Sequence, residues 1–318
     1  MSRDLADNFS RSEAWNATLL ARQENIIRGH YRDAVREIQA ELARLYEKYS
    51  TDGALTYAQM TKYNRLLGLE KQIGGILGAN DKAFSKTLKK LTAEQYEEAY
   101  FGHAWAIDNN VGVALKWGMI READIVAITS NPLSLISKSP LTNTTTLSVL
   151  ERSGIRRAIV QGLIQGQSYP KMATGIKDVM NKSFGNAVRI ARTEGHRAQV
   201  EGIQKSFVDA EVAGVDGIQV WSATLDERTR SSHGHLDGVP AEMINGEPHW
   251  TIGGFDTTGP GKSGVAAEDI NCRCVVRLEI EGLAPELRRT QAKGIEPYIK
   301  YDDWIKRYNV SGQLTRVK

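Results

Sequence analysis

Hydrophobic residues early in the chain recur at steps of three and four, the spacing of one face of an α-helix. The clearest run lies within residues 10–49 and comprises Tyr31, Val35, Ile38, Leu42 and Leu45. Charged residues occupy the other faces, so the pattern predicts one long amphipathic helix that packs against a partner. Residues 56–59 have the form of a capping box and predict the start of a second helix. Gly74, Gly75 and Gly78 are expected to end it, and residues 92–95 to cap a third.

The pattern changes twice further along the chain. Residues 129–146 are rich in serine, threonine and asparagine and show little periodicity, which is typical of a linker. Helical spacing resumes at about Leu147, whereas residues 217–223 and 275–280 alternate between apolar and polar positions as strands do. The sequence therefore predicts an α+β protein with a mainly helical N-terminal half, followed by a small mixed domain of short strands and long glycine-rich loops.

These changes divide the chain into four predicted segments. They are a helical arm at residues 1–128, a linker at 129–146, an α+β domain at 147–282 and a polar, mildly basic tail at 283–318. The arm is the candidate region for docking to other proteins, because its long amphipathic helix needs a partner.

Composition narrows the class of protein. The chain has 318 residues, of which 41% are hydrophobic and 25% charged, so a folded protein with a real core is expected. A net charge of +3 permits contact with nucleic acid without requiring it. The N-terminus has no basic segment followed by an apolar run, and no apolar run approaches the roughly 20 residues that span a bilayer, so neither a signal peptide nor a membrane segment is expected.

Candidate chemistry is concentrated in the glycine-rich stretch from residue 221 to residue 274, which holds both cysteines and three of the six histidines. Cys272 and Cys274 are too close in sequence for an ordinary disulfide, so a reduced pair is expected. With His233 they supply thiolate and imidazole donors suited to a structural zinc ion, and Asp226, Asp237 or His235 could complete the site. Alternatively, the cysteines are small buried apolar residues at a strand start, and His233 is a hydrogen-bonded turn residue.

Three arginines in the same stretch allow two interpretations. Arg228, Arg230 and Arg273 could contact phosphates or an acidic partner, since guanidinium groups match phosphate geometry. They could instead pair with nearby acids and hold the loops together. Arg192 and Glu194 lie two residues apart on a predicted helix and cannot face each other, so each needs a partner elsewhere.

These residues together resemble the phage Mu F-like minor head morphogenesis proteins. The resemblance covers roughly residues 147–282 and rests on the order and spacing of Arg192, Thr193, Glu194, Trp221, Asp226, Arg228, Thr229, Arg230, His233, Leu236, Asp237, Gly238, Asn271, Cys272, Arg273 and Cys274. In place of a proline-rich approach to the cysteines, this chain has the glycine-rich residues 259–269.

The resemblance implies a minor structural protein of a tailed phage head, present in few copies and associated with the portal. Its implied roles are head assembly and the packaging or delivery of DNA, and its implied partners are portal, capsid or scaffold proteins and possible non-specific double-stranded DNA. It would reside in the virion after assembly in the host cytoplasm. Arg192, Glu194, Trp221, Asp237 and Gly238 would be structural residues of the motif.

Two other classes of function stay open. A zinc ion with an open position at His233, Cys272 and Cys274, with Glu194 as general base, would make a metal-assisted hydrolase or nuclease. The chain has no His-Glu-x2-His, Gly-x-Ser-x-Gly or phosphate-loop motif, which favours a non-enzymatic protein. A non-specific DNA-binding module is the third class, and the lack of a dense basic stripe counts against it.

Overall fold

The structure is a computed structural model, and it describes residues 5–111, 115–118, 120–130, 144–280, 287–290 and 294–297. Most of the described chain is helical. The first six helices are α1 (Leu5–Tyr49), α2 (Tyr57–Thr61), α3 (Arg65–Val111), α4 (Glu122–Ser130), α5 (Thr144–Ile164) and α6 (Tyr169–Val212). A 3-10 turn at Lys62–Asn64 lies between α2 and α3. The predicted long first helix is therefore confirmed as α1.

The predicted capping box at the start of α2 is confirmed. The side chain of Thr56 accepts a hydrogen bond from the backbone N–H of Gln59, and the Gln59 side chain accepts one from the backbone N–H of Thr56. The helix that it starts is short, because Tyr63 and Asn64 both have positive φ angles, 57° and 54°, which a continuous right-handed helix does not allow.

The predicted end of the second helix at Gly74, Gly75 and Gly78 is wrong, as is a new helix start at residue 92. α3 runs unbroken through these positions. Leu69, Ile73 and Leu77 are buried, so the apolar stripe continues past the glycines. The Arg152 guanidinium donates a hydrogen bond of 3.1 Å to the Gly74 carbonyl. The Arg152 side chain therefore packs against the helix here, and tertiary packing outweighs the weak helix propensity of glycine.

The described residues fall into two compact units. The first lies within Met1–Ala21, Leu91–Leu135 and Arg192–Lys318, and the second within Arg22–Lys90 and Ile136–Ala191. Each unit combines segments that are distant in sequence, and each includes part of α1, α3 and α6. The functional division into arm, linker, domain and tail stays a prediction.

Short strands follow the helices, as the sequence predicts, and the α+β class is confirmed. The strands are β1 (Gly217–Ser222), β2 (Glu242–Ile244), β3 (Glu247–Ile252), β4 (Phe255–Thr257), β5 (Val275–Ile280), β6 (Leu287–Thr290) and β7 (Gly294–Pro297). β1 pairs with β5 in antiparallel register, so that Trp221 lies opposite Val276. β2, β3 and β4 form a second antiparallel sheet, and β6 and β7 form a hairpin in the predicted tail.

The core of the first unit joins helices to the β1–β5 sheet. Its buried members include Phe9 of α1, Ala106 of α3 and Phe207 of α6, together with Trp221 and Val276 from the two strands. Helical residues far from the strands in sequence are thus part of the core of the α+β region, because the sheet of two short strands has too little apolar surface of its own.

Gly202 marks the closest approach of α6 to α3 in the first unit. A Cβ added at Gly202 would overlap the carbonyl oxygen of Tyr96 and lie 3.2 Å from the Cβ of Ala99. Gly202→Ala is therefore expected to lower the free energy of unfolding by about 2 kcal/mol, because a backbone carbonyl cannot move as freely as a side chain.

Gly185 provides the matched control on the same helix, since an added Cβ there meets nothing within 4 Å. Gly185→Ala should raise the free energy of unfolding by up to about 1 kcal/mol through helix propensity alone. Chemical denaturation of both variants checks the pair. Equal stabilisation by the two substitutions would contradict the close contact at Gly202.

Two sequence predictions fall partly outside the described residues. Of the predicted linker, residues 131–143 lie outside them, while residues 129–130 end α4 and residues 144–146 begin α5. Of the predicted tail, only β6 and β7 are described. Among the described helices, none combines the length and the apolar character that crossing a membrane requires.

Candidate metal centre

Three of the predicted metal ligands converge in the first unit. The Nδ1 atom of His233 lies 3.3 Å from the Sγ atom of Cys274 and 3.6 Å from that of Cys272. One donor atom from each of the three residues lies within 4.8 Å of the others. All three residues are at most 3% exposed. This His-Cys-Cys group, His233 with Cys272 and Cys274, is the metal-binding candidate that the sequence predicts.

Two short helices and their caps hold the group together. His233 lies on α7 (Ser231–Gly234), and α8 (Ala266–Asp269) ends shortly before the cysteines. Arg230, at the start of α7, donates hydrogen bonds to the carbonyls of Glu268 and Ile270, the second at 2.6 Å. The first cysteine is fixed in turn, because the Cys272 N–H donates to the Asp269 carbonyl at 3.1 Å. Arg230 therefore joins the two loops that carry the donors.

The cysteines precede strand β5, which begins at Val275. Both sulfurs lie within 3.6 Å of the same ring nitrogen, Nδ1 of His233. The free thiols differ in character: a hydrogen bond from Cys272 lowers the pKa of Cys274, while burial and the neighbouring Cys274 sulfur raise the pKa of Cys272. The group thus combines two sulfurs and an imidazole, the donor types that zinc prefers.

Glu268 is the member of this region that the sequence analysis missed. Its Oε2 atom lies 3.0 Å from Nε2 of His233 and accepts a hydrogen bond of 2.8 Å from the Ser232 hydroxyl. The two ring nitrogens of His233 therefore face different partners, a carboxylate on one side and two sulfurs on the other. A search for a carboxylate to accompany a ligating histidine could have drawn attention to residues 259–269, since such partners are common.

Asp226, the predicted fourth ligand, is not part of the His-Cys-Cys group. The Arg273 guanidinium donates hydrogen bonds to both carboxylate oxygens of Asp226, one of them at 2.7 Å. The backbone N–H of Arg228 donates to the same carboxylate at 2.9 Å. Although burial opposes the change, these hydrogen bonds hold the pKa of the Asp226 carboxyl below its usual value. Asp226 therefore ties the loop after β1 to the cysteine loop through Arg273.

The three predicted contact arginines have different environments. Arg273 is paired with Asp226, and Arg230 is engaged with backbone carbonyls. The Arg228 side chain is 71% exposed, and its guanidinium lies 3.8 Å from Asp226. Internal pairing thus accounts for most of this arginine cluster, and Arg228 is the member that faces solvent.

The motif residues Trp221, Asp237 and Gly238 form one structural corner. Trp221 is fully buried, and its backbone exchanges hydrogen bonds with Val239 and Gly238. An oxygen of Asp237 accepts a hydrogen bond of 2.9 Å from the Ala223 N–H. Gly238 has a φ of 76°, which a residue with a side chain adopts rarely. These contacts therefore hold residues 237–239 against the end of β1.

The Arg192 to Glu194 segment lies on α6, with Arg192 exposed and its two neighbours buried. Glu194 forms a buried ion pair with Arg197, one turn further along the helix, at 3.0 Å. The hydroxyl of Thr193 accepts a hydrogen bond of 3.4 Å from the Asn271 N–H. The helix part of the motif therefore contacts the loop that leads to the cysteines.

The fold and the site together define a largely helical protein with a small α+β region organised around a buried His-Cys-Cys group. The family model described as "Phage Mu protein F like protein" matches residues 153–277, which contain every motif residue described above. No solved structure matches the chain.

Curated relatives extend the similarity beyond that segment. Minor head protein GP7 of Bacillus phage SPP1 is 34% identical over 286 residues, which cover 87% of this chain and 90% of the relative. NAD(+)–arginine ADP-ribosyltransferase EFV of Enterococcus faecalis is 30% identical over 308 residues, 93% of this chain but only 61% of that relative. An uncharacterized protein of Haemophilus influenzae is 31% identical over 123 residues, 38% of this chain and 23% of the relative.

The chain belongs to the phage Mu F-like family of minor phage head proteins. The expected resemblance is therefore confirmed, and it reaches well into the helical N-terminal half.

Proposed function

We propose that this protein is a portal-associated component of a tailed phage head, where it takes part in head assembly and in the packaging or delivery of DNA. The structural part of this proposal rests on the His-Cys-Cys group in the family segment, which would bind a zinc ion. Such an ion would fasten α7 to the loop before β5, where short elements bury little apolar surface.

The burial of the His-Cys-Cys group supports a structural rather than a catalytic role for the metal. A catalytic zinc site keeps a position open to substrate, whereas structural sites are closed by four ligands. All three donors are almost fully enclosed. His196 is also buried and its Nε2 atom has no hydrogen-bond partner in the described part of the chain, but it is not a member of the His-Cys-Cys group.

The ADP-ribosyltransferase relative does not lead us to propose transferase activity. The chain spans 61% of that protein, so the similarity does not carry the named activity over to this chain. The minor head relative, by contrast, is matched over most of its length. We therefore favour a non-enzymatic function, and the metal-assisted hydrolase remains the alternative.

DNA phosphates would be contacted by one of the three predicted contact arginines. Arg230 and Arg273 are engaged within the protein, which leaves Arg228 as the solvent-facing candidate for a phosphate. A single exposed arginine fits weak, non-specific contact.

Portal association can be tested with the full chain. Deleting residues 1–125 would be a poor test, because Phe9, Ala99 and Ala106 belong to the core of the first unit. Instead, Tyr63 and Leu67 offer a surface, since they are 77% and 63% exposed in the arm. We expect the wild-type chain to copurify with the portal protein of the same phage. The double variant Tyr63→Ser with Leu67→Ser should reduce the copurified fraction at least about tenfold, because it removes one or two apolar side chains that the interface would bury.

Gln72→Ser, at an exposed position of α3, the helix that carries Leu67, is the control and should copurify normally. Failure of the wild-type chain to copurify with portal would contradict the portal assignment. Normal copurification of the double variant would place the docking surface elsewhere in the chain.

A further inference from the structure

We propose that Glu268 is a positioning residue that fixes the His233 ring in the tautomer with a proton on Nε2, so that Nδ1 is the metal-binding atom. The inference deepens the proposed zinc site and rests on it. It names both the nitrogen that binds and the residue that selects it.

The first step concerns the direction of the hydrogen bond. The Oε2 atom of Glu268 accepts the hydrogen bond from Ser232 and lies 3.0 Å from Nε2 of His233, so a proton on Nε2 gives this contact a donor and an acceptor. In a neutral imidazole the other nitrogen then presents its lone pair. That nitrogen, Nδ1, is the one that faces Cys272 and Cys274.

The second step concerns how Glu268 itself is held. Its Oε2 atom accepts a hydrogen bond from Ser232, the residue just before His233. Its Oε1 atom lies against the turn between β3 and β4, where a Cβ added at Gly253 would come within 2.9 Å. Gly253 also has a φ of 57°. The Arg230 guanidinium donates hydrogen bonds to the carbonyls of Glu268 and Ile270, at the end of the same short helix and just after it.

The Glu268 carboxylate is therefore held next to His233 by the Ser232 hydroxyl and the turn at Gly253. Its side chain is 15% exposed and that of His233 is 3% exposed, so water competes little for the bond between them. Carboxylates that hold a ligating histidine typically change metal affinity by about 10-fold to 100-fold when they are removed.

The test uses the full chain with zinc and cobalt(II). Wild-type protein should bind one zinc ion, and Glu268→Gln and Glu268→Ala should each weaken zinc binding by about 10-fold to 100-fold in competition with a chelator. Glu242→Gln, an exposed acid on β2, is the matched control and should bind zinc as the wild type does.

A second readout follows the tautomer directly. Nitrogen NMR of the zinc-bound wild type should show His233 with a protonated Nε2 and a metal-bound Nδ1, and Glu268→Ala should shift or broaden these signals. The cobalt(II) spectrum should keep its thiolate bands in Glu268→Gln if both cysteines still bind, which separates lost positioning from a collapsed site.

The outcomes distinguish this inference from the zinc proposal. A wild-type chain that binds no metal overturns both. Zinc binding that is equally tight in wild type and Glu268→Ala, or a metal-bound Nε2, overturns the role of Glu268 alone and leaves the zinc site standing.

Discussion

Cys274→Ser is expected to abolish zinc binding and to lower the free energy of unfolding by about 4 kcal/mol, measured with free zinc about 1,000-fold above the wild-type Kd. A serine hydroxyl does not ionise at neutral pH and is a poor ligand for zinc, so the His-Cys-Cys group would retain only two good donors. Cys272→Ser should behave in the same way. Elemental analysis of purified protein and thermal unfolding with and without a chelator provide the measurement.

Two histidine variants form a matched pair of test and control. His233→Ala should lose the metal, whereas His249→Ala should keep it, because His249 pairs with Asp256 on the exposed side of the β3–β4 hairpin. A chelator should destabilise the wild type and have no effect on Cys274→Ser. If the wild type contains no zinc and the chelator changes nothing, the cysteines are small buried core residues, the alternative that the sequence leaves open.

Glu151→Gln is expected to stabilise the protein by about 3 kcal/mol at pH 8 and to have little effect at pH 4.5. Glu151 of α5 lies fully buried in the second unit, where Tyr31 is its hydrogen-bond donor at 3.4 Å. Burial, with a further contribution from the negative charge of Asp81, raises the pKa of Glu151 to about 7 from an ordinary value near 4.5.

The direction in which stability changes with pH follows from which state, folded or unfolded, binds the Glu151 proton more tightly. The folded protein holds it up to about pH 7, whereas the unfolded chain releases it near pH 4.5. The stability of the wild type is therefore unaffected by this group below pH 4.5, falls as the pH rises towards 7, and levels off above it. Each pKa unit corresponds to about 1.4 kcal/mol.

Glutamine keeps the shape of the side chain and removes the charge, so the difference between the two proteins isolates this one group. Denaturation at intervals between pH 4.5 and pH 8 measures it. Glu47→Gln, at an exposed position of α1, is the control and should track the wild type throughout. A constant difference between Glu151→Gln and wild type across that range would show that Glu151 does not change its ionisation on folding.

Some features of the protein follow from the sequence because their causes are local. The step of three and four from Tyr31 to Leu45 is a property of one helix, and the exchange of hydrogen bonds between Thr56 and Gln59 needs only four residues. The alternation in sequence that predicts β1 and β5 is local as well, although the structure buries four consecutive residues at the start of β5. The motif spacing was enough to recognise the family and to bring His233, Cys272 and Cys274 together as candidates.

Other features depend on contacts between distant segments, and these only the tertiary structure decided. Gly74 lies inside a continuous helix because the Arg152 side chain packs against its backbone, 78 residues away in sequence. Asp226 lies in a loop and Glu268 on the four-residue helix α8, and nothing in their local sequence tells which one faces His233. The hydrogen bonds do: Arg273 holds Asp226 away from the group, while Ser232 and the turn at Gly253 aim Glu268 at the imidazole. Local pattern therefore determined the elements and the donor types, whereas long-range packing decided where helices end and which carboxylate serves the site.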